Sequence, residues 1–419
     1  MKILVITHTF PPSKHSNAKR PQYLVRALLD AGWQVDVATS SIGVETEEEE
    51  VLQHPQLVVR RYSEPVWWLQ KTLQKHGLGG FSKVVSMASN GLLFPDFCAL
   101  WARKVFRAFR KNGEKYDRVL AFVFPPSVLL SGSYKIVDER WTFDFQESVT
   151  PQFERYPRKS FMQRWMLGRL KKLERKTLHE AGQVVFTAES NRAAYIERGI
   201  VPESRTWHMP YFYDDQVFSG VIEHRDQFEI GYYGNFDLTG ARSPEIFLKS
   251  LAGFLDRVPA AREETSFVFY GSWLERHDVL IDGLGLREVC KIHAAVPYEQ
   301  YLKRLQTSPI LLLIVAEEHN LFMPSKIVDY FGARRPILAF VPEASEMDEI
   351  LETAGMGAYR CQSGQVEEGV DALMRLWNKH QNGGLSVDDE KISRWSSGAL
   401  LPKYLKILKN KPAKKRKLK

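Results

Sequence analysis

Lys2-Ile-Leu-Val-Ile-Thr7, followed by His8-Thr-Phe-Pro-Pro-Ser-Lys-His-Ser-Asn17 and then by Ala31-Gly-Trp-Gln-Val-Asp-Val-Ala-Thr39, decides the fold. The first run is continuously apolar, as in strands buried on both faces of a parallel sheet. Pro11 and Pro12 keep the next stretch a loop. Leu24, Ala27, Leu28 and Ala31 recur at helical spacing, Gly32 stops that helix, and residues 33–39 form the next strand. This is a βαβ unit. Outward from it, strand-like runs fall at 57–61, 118–124, 135–137 and 184–188, with helical patterns at 97–111 and 161–181 between them. After a turn-rich stretch at 209–226 a second series opens with Glu229-Ile-Gly-Tyr-Tyr-Gly234. It continues with strands at 266–270, 289–294, 310–315 and 336–339. The alternation predicts an α/β protein of two doubly wound Rossmann-like domains facing a central cleft. The first domain covers residues 1–210 and is completed by a C-terminal helix at 386–408. The second covers 226–385, and 409–419 form a basic, disordered tail.

The 419 residues are 44% apolar and 12% aromatic, enough to bury ordinary cores. No run of about 18 apolar residues predicts a spanning helix, and the first residues do not read as a signal peptide. Cys98, Cys290 and Cys361 lie far apart without a C-x-x-C, so neither a zinc framework nor a disulfide framework is expected, as suits a reducing cytoplasm. The net charge of +8 is concentrated at one end. Residues 401–419 hold nine Lys or Arg and no acid, leaving 8 − 9 = −1 for residues 1–400. Nucleic acid is therefore not the favoured partner of the fold. The acid run Glu45–Glu50 reads as a solvated loop.

The strongest local motif is Phe322-Met-Pro-Ser-Lys-Ile-Val-Asp-Tyr-Phe-Gly-Ala-Arg-Arg-Pro-Ile-Leu338. Pro324 suits a first helical turn, and Ser325 and Asp329 share one face. Free N–H groups at that helix end favour a phosphate, and Lys326 adds a positive charge. Asp329, a turn deeper, can accept from two vicinal sugar hydroxyls. The same spacing equally suits a capped helix packed on a sheet.

This segment resembles the donor-binding helix of retaining glycosyltransferases of family four, which have the GT-B fold. Relatives in one branch read F-x-P-S-K-[IL]-x-E-Y, and Asp329 stands where they have glutamate. The first acid of the wider E-x(7)-E motif is displaced: Leu321 occupies its place, after Glu317-Glu-His-Asn320. Phe10-Pro-Pro12 with Arg20 resembles the first βαβ unit, with Ser16-Asn17-Ala18 in place of a Gly-Gly pair. Phe94-Pro-Asp96 with Trp101, Val137-Asp-Glu-Arg-Trp141, Thr187-Ala-Glu-Ser190 and Met209-Pro-Tyr-Phe-Tyr213 extend the likeness. So do Tyr232-Tyr-Gly-Asn235 with Ala241-Arg-Ser-Pro244, and Val296-Pro-Tyr298. Together they span residues 1–408.

The resemblance implies a retaining enzyme moving a sugar from a nucleotide-diphosphate donor to an acceptor hydroxyl, in surface polysaccharide or lipopolysaccharide assembly. Arg242 and Lys326 are its implied catalytic cations, stabilising the leaving diphosphate. Gly234, Asn235, Ser325, Asp329 and Tyr298 join them in donor binding. Ser16, Asn17, Arg20, Asp138, Arg140 and Glu189 are placed on the acceptor side or the cleft lip, although Glu189 equally suits a structural role at a helix start. His8, directly after the first strand, reads more readily as structural than as a base. The nucleotide sugar is a co-substrate, and no cofactor and no metal are expected. The expected partners are that donor, a glycan or lipid-linked acceptor, and an anionic membrane surface met by residues 401–419. The expected location is cytoplasmic, peripheral on the inner face of the plasma membrane. The aromatic and basic stretch from Trp67 to Lys111 reads either as a membrane-docking face or as a helical layer over the first sheet. A non-catalytic GT-B-like scaffold and a nucleotide-sugar epimerase are the alternative functions.

Overall fold

The computed structural model describes residues 1–13, 15–42, 53–78, 80–81, 93–112, 116–155, 160–220, 227–236, 242–316 and 323–410. The acid run, Glu317–Phe322, Ala241, and the tail from Lys411 onward lie outside the described residues. The chain divides into two compact units. One is Met1–Pro210 with Leu401–Lys419, and the other is Tyr211–Leu400.

The first unit holds a seven-stranded parallel sheet. Its strands are β1 (Lys2–Ile6), β2 (Gln34–Ser40), β3 (Leu57–Tyr62), β4 (Arg118–Phe122), β5 (Trp141–Phe145), β6 (Gln183–Phe186) and β7 (Thr206–His208). Their order is β3-β2-β1-β4-β5-β6-β7, so the winding reverses between β1 and β4. Ile3 pairs with Val35 on one side and Arg118 on the other. Ile3, Val5 and Ile6 are fully buried, as a central strand covered on both faces requires. The helix Lys19–Asp30 turns Leu24, Val25 and Leu28 inward. It stops at Ala31, where Gly32 takes φ +77°, the left-handed conformation that a side chain would strain.

One expected strand is misplaced by the sequence reading. Residues 135–137 are not a strand: a 3₁₀ segment Pro126–Tyr134 ends at Lys135, with φ +55°. The strand is instead Trp141–Phe145, buried at every position. Its Thr142 and Asp144 hid it, because a polar pair breaks the apolar pattern. Asp144 is tolerated because Arg20, 124 residues away, grips it.

The aromatic and basic stretch divides. Helix Ala99–Asn112 buries Trp101, Ala102, Val105 and Phe106 in the core of this unit, while Trp68, Leu69 and Phe81 are exposed. The boundary between the units falls within the last helix, Ser397–Lys409. Tyr404 and Leu408 on its later turns are fully buried. Its terminal carbonyls, which no helical N–H can satisfy, accept from unit-one side chains. Arg118 Nε donates to Leu408 O at 2.8 Å and Gln183 Nε2 to Ile407 O at 3.1 Å.

The second unit holds a six-stranded parallel sheet, β10-β9-β8-β11-β12-β13. The strands are β8 (Phe228–Tyr233), β9 (Thr265–Tyr270), β10 (Cys290–His293), β11 (Ile310–Ile314), β12 (Ile337–Val341) and β13 (Arg360–Gln362). The winding reverses between β8 and β11. Phe228, Phe247, Phe254, Phe267, Phe269 and Trp377 dominate its core. A Cβ on Gly332, between β11 and β12, would sit 2.4 Å from the Phe218 ring, so that glycine makes room for the ring.

Candidate active site

Where the strand order of a doubly wound sheet reverses, the loops beyond the strand carboxyl ends diverge and leave a crevice. In the second unit this point lies between β8 and β11, and β8 ends in Tyr232-Tyr233-Gly234. The chain after β8 runs hard against the chain after β9. A Cβ on Gly271 would lie 1.8 Å from Gly234 O, so Gly271, at φ +154°, is required by the contact. Asn235 Oδ1 accepts the Ser272 N–H at 2.8 Å and locks the two loops together.

Lys326 reaches the same place. It opens the short helix Lys326–Gly332, capped at Ser325 without a side-chain hydrogen bond. Its Nζ lies 3.5 Å from Tyr233 O, 4.2 Å from the centre of the Tyr232 ring, and 3.1 Å from where a Gly234 Cβ would stand. Among the described residues no carboxylate pairs with it. Burial, reinforced by repulsion from Arg242, pushes its pKa down to about 7. A second cation, Arg242, thus acts on the Lys326 amine at this end of the sheet.

Asp329 lies one turn on, and its Oδ2 accepts the Tyr301 hydroxyl at 3.0 Å. Tyr301 comes from the helix Tyr298–Thr307, packs edge-on to Tyr233 at 5.8 Å and stacks on Tyr298 at 5.8 Å. Burial and the Asp329 charge raise the Tyr301 pKa well above its ordinary value, so it stays a donor. One wall of aromatic rings thus links Tyr298 and Asp329 to the Gly234 loop. Tyr301 was missed by sequence reasoning. It lies three residues after Tyr298, and nothing local marks it as a partner for an acid 28 residues away.

The residues expected on the acceptor side do not gather. Ser16 and Asn17 form a 3₁₀ turn, Ser16–Ala18, in which the Asn17 N–H bonds His15 Nδ1 at 3.2 Å. Arg20 is buried and structural. It forks onto the Asp144 carboxylate at 2.9 to 3.1 Å and donates to Met209 O and Pro210 O, both at 2.9 Å. The Tyr404 hydroxyl completes the Asp144 shell. Asp138 and Arg140 precede β5 rather than follow a strand. They therefore lie at the amino-terminal edge of the sheet, opposite the ligand-binding edge. They pair with each other at 2.7 Å, and Arg140 also holds Tyr116 O. Glu189, the first residue of helix Glu189–Glu197, pairs with Arg192 at 2.7 Å and faces His208 at 3.6 Å; Ala188 is the N-cap. His8 is buried beside Glu64 and edge-on to Trp101.

No protein-family model matches this chain, and no curated protein matches its sequence. Solved structures do match. A sucrose-phosphate synthase from Thermosynechococcus elongatus is 13% identical over 97% of this chain and 98% of its own, with a TM-score of 0.65. A trehalose-6-phosphate protein from E. coli, bound with UDP-2-fluoro glucose, is 12% identical over 99% and 100%, with a TM-score of 0.63. WaaG, a glycosyltransferase involved in lipopolysaccharide biosynthesis, is 12% identical over 97% and 100%, with a TM-score of 0.62. This chain has the GT-B fold. No helix of the described residues is long and apolar enough to cross a membrane.

Proposed function

We propose that this GT-B protein is a nucleotide-sugar-dependent glycosyltransferase that retains the configuration of the sugar it moves. The observation that carries this reading is the Lys326 amine beside Gly234, near Arg242, at the point where the second sheet reverses its winding. A diphosphate needs positive charge there twice: when it binds, and more strongly when it leaves. Fixed cations that require no rearrangement stabilise the developing charge most. Ser325 and Asn235 supply neutral polar groups near the phosphates, and Asp329, oriented by Tyr301, takes a sugar hydroxyl. In the retaining route, the departing phosphate oxygen accepts the proton of the incoming acceptor hydroxyl on the same face of the sugar. No protein base is then called for, and in the first unit Arg20, Asp138, Arg140 and Glu189 are engaged in ion pairs.

Two of the similar structures have ligands or roles that favour this reading, the E. coli protein with its UDP sugar and WaaG with its lipopolysaccharide role. We assign the acceptor to the same broad class, a glycan or lipid-linked glycan of surface polysaccharide or lipopolysaccharide. Lys403, Lys406 and Lys409 are exposed on the last helix, and further cations follow to residue 419. This charge would hold the protein on an anionic, cytoplasm-facing membrane where such acceptors are presented, at about 1 kcal/mol per cation.

The test is a thermal-shift and calorimetric screen of the purified chain against UDP, GDP, ADP, CMP and dTDP and their sugars. A true donor at about 100 times its Kd adds about 2.7 kcal/mol of stability. The expected result is one responding nucleotide, with the response lost in Lys326→Ala and Arg242→Ala variants that melt normally. Folded protein that responds to no nucleotide would move the assignment to a non-catalytic scaffold.

A further inference from the structure

The first unit contains a second collection of reactive side chains, and the proposed transfer makes no use of it. His8, Glu64 and Cys98 are all buried, at 7%, 0% and 1% exposure. One ligand atom from each lies within 4.8 Å of the others. They come from three separate segments: the loop after β1, the N-cap position of helix Pro65–Lys75, and the residue preceding helix Ala99–Asn112. Ring packing against Trp101, at 4.9 Å and nearly perpendicular, holds the His8 imidazole in place.

Polar satisfaction sets this cluster apart from an ordinary buried pair. Both Glu64 carboxylate oxygens are buried and hydrogen-bonded to nothing, and so is His8 Nε2. The nearest approach, Nε2 to Glu64 Oε2, is 3.5 Å. Buried carboxylates are ordinarily paired, hydrogen-bonded or bound to a metal, since an uncompensated one costs several kcal/mol. Asp96 does not relieve the cost. Its two oxygens take the Cys98 and Ser127 N–H groups at 2.8 and 2.7 Å, and its charge adds to that of Glu64. A carboxylate, a thiol and an imidazole thus face one another, and among the described residues no Lys or Arg pairs with Glu64.

We propose that His8, Glu64 and Cys98 bind a divalent cation of the zinc class. An imidazole nitrogen, a carboxylate oxygen and a thiolate sulfur form a borderline-soft donor set suited to Zn²⁺. Ligand atoms about 2.0 to 2.3 Å from a tetrahedral ion stand about 3.3 to 3.8 Å apart, so small side-chain rotations close the cluster. The balance is simple. The ion enters with charge +2, Cys98 gives its S–H proton to solvent, and the resulting thiolate and Glu64 carboxylate neutralise the ion while His8 stays uncharged. Three protein ligands leave the fourth tetrahedral position to a water, and the ion would clasp the loop after β1 to two helices. The spacing of 56 residues and then 34 is unlike any contiguous zinc motif. The ion is independent of the proposed transfer, and no step of that reaction passes through it.

The test uses the full-length chain purified from zinc-supplemented growth, dialysed, and measured by elemental analysis. About one zinc per chain is expected, falling at least tenfold in Cys98→Ala and in His8→Gln. Reconstitution of wild-type protein with Co²⁺ alone should give tetrahedral visible bands and a thiolate-to-cobalt charge-transfer band in the near ultraviolet. A chelator should lower the melting temperature of wild type but not of Cys98→Ala. Substoichiometric zinc in wild type together with an octahedral cobalt spectrum would overturn the proposal. So would one zinc per chain persisting unchanged in Cys98→Ala. The wild-type cobalt spectrum decides the matter even if a variant fails to fold.

Discussion

The proposed donor site of the second unit rests first on one buried amine. Lys326 is held near neutrality by burial and by Arg242, with a pKa of about 7 against an ordinary value near 10.5. A bound diphosphate favours the charged amine and raises that value. Donor binding above pH 7 therefore takes up a proton, and affinity falls as pH rises past 7, by up to about tenfold per pH unit. A sugar nucleotide has no phosphate titrating there, so the slope reports the protein. Titration calorimetry in buffers of different ionisation enthalpy should show the proton uptake in wild type and not in Lys326→Met. A slope that persists in that variant assigns it to another group. Removing the charged donor should itself weaken binding by about 1.5 to 3 kcal/mol.

At the scale of elements, the site rests on the mutual approach of two loops. The chain after β8 and the chain after β9 touch through Gly234 and Gly271, where a single methyl would meet a backbone carbonyl at 1.8 Å. A flexible side chain could move aside, but a backbone oxygen can do so only by moving its loop. Gly271→Ala should therefore displace Gly234 and the Lys326 amine beside it. The expected result is a loss of about 1 to 3 kcal/mol in stability and a larger loss in donor affinity. Gly283→Ala, where an added Cβ meets nothing within 4 Å, is the control. Equal effects of the two substitutions on donor affinity would show that loop contact does not shape the site.

At the scale of the whole molecule, the first unit is closed by residues from the far end of the chain. Arg20, Asp144 and Tyr404 form one buried group, and Arg118 and Gln183 cap the last helix. Ending the chain after Leu400 removes Tyr404, Ile407 and Leu408 from that core. Losing the Tyr404 hydroxyl from the Asp144 carboxylate costs about 1.5 to 3 kcal/mol, and the apolar losses add to it. The truncated protein should melt far below wild type or fail to fold, whereas ending at Asn410 should leave the melting temperature unchanged. Anionic vesicle binding in co-sedimentation should fall in that shorter cut. Undiminished binding would assign any membrane contact to the folded part. Arg20→Ala should destabilise strongly while leaving donor affinity per folded molecule intact, the reverse of Lys326→Ala.

What the sequence determined by itself is whatever is encoded locally. The apolar run after Lys2, the helix stopped by Gly32 and the second series from Glu229 were readable as two doubly wound units, because strand burial and helical periodicity are written in neighbouring residues. Gly234, Asn235 and Arg242 entered only through the resemblance of their segments to a family motif, and Lys326 through its place in a first helical turn. Tertiary structure alone decided what each polar side chain does there. Arg20 matched a motif but is consumed by Asp144. Asp138 and Arg140 stand before β5, and that strand was disguised in the sequence by its buried Asp144. Tyr301 is bound to Asp329, and His8, Glu64 and Cys98 converge from three segments. The physical reason is the same in each case. A buried charge or hydrogen-bonding group can be tolerated only beside its partner, and folding chooses that partner across dozens or hundreds of residues, with no trace in the local pattern.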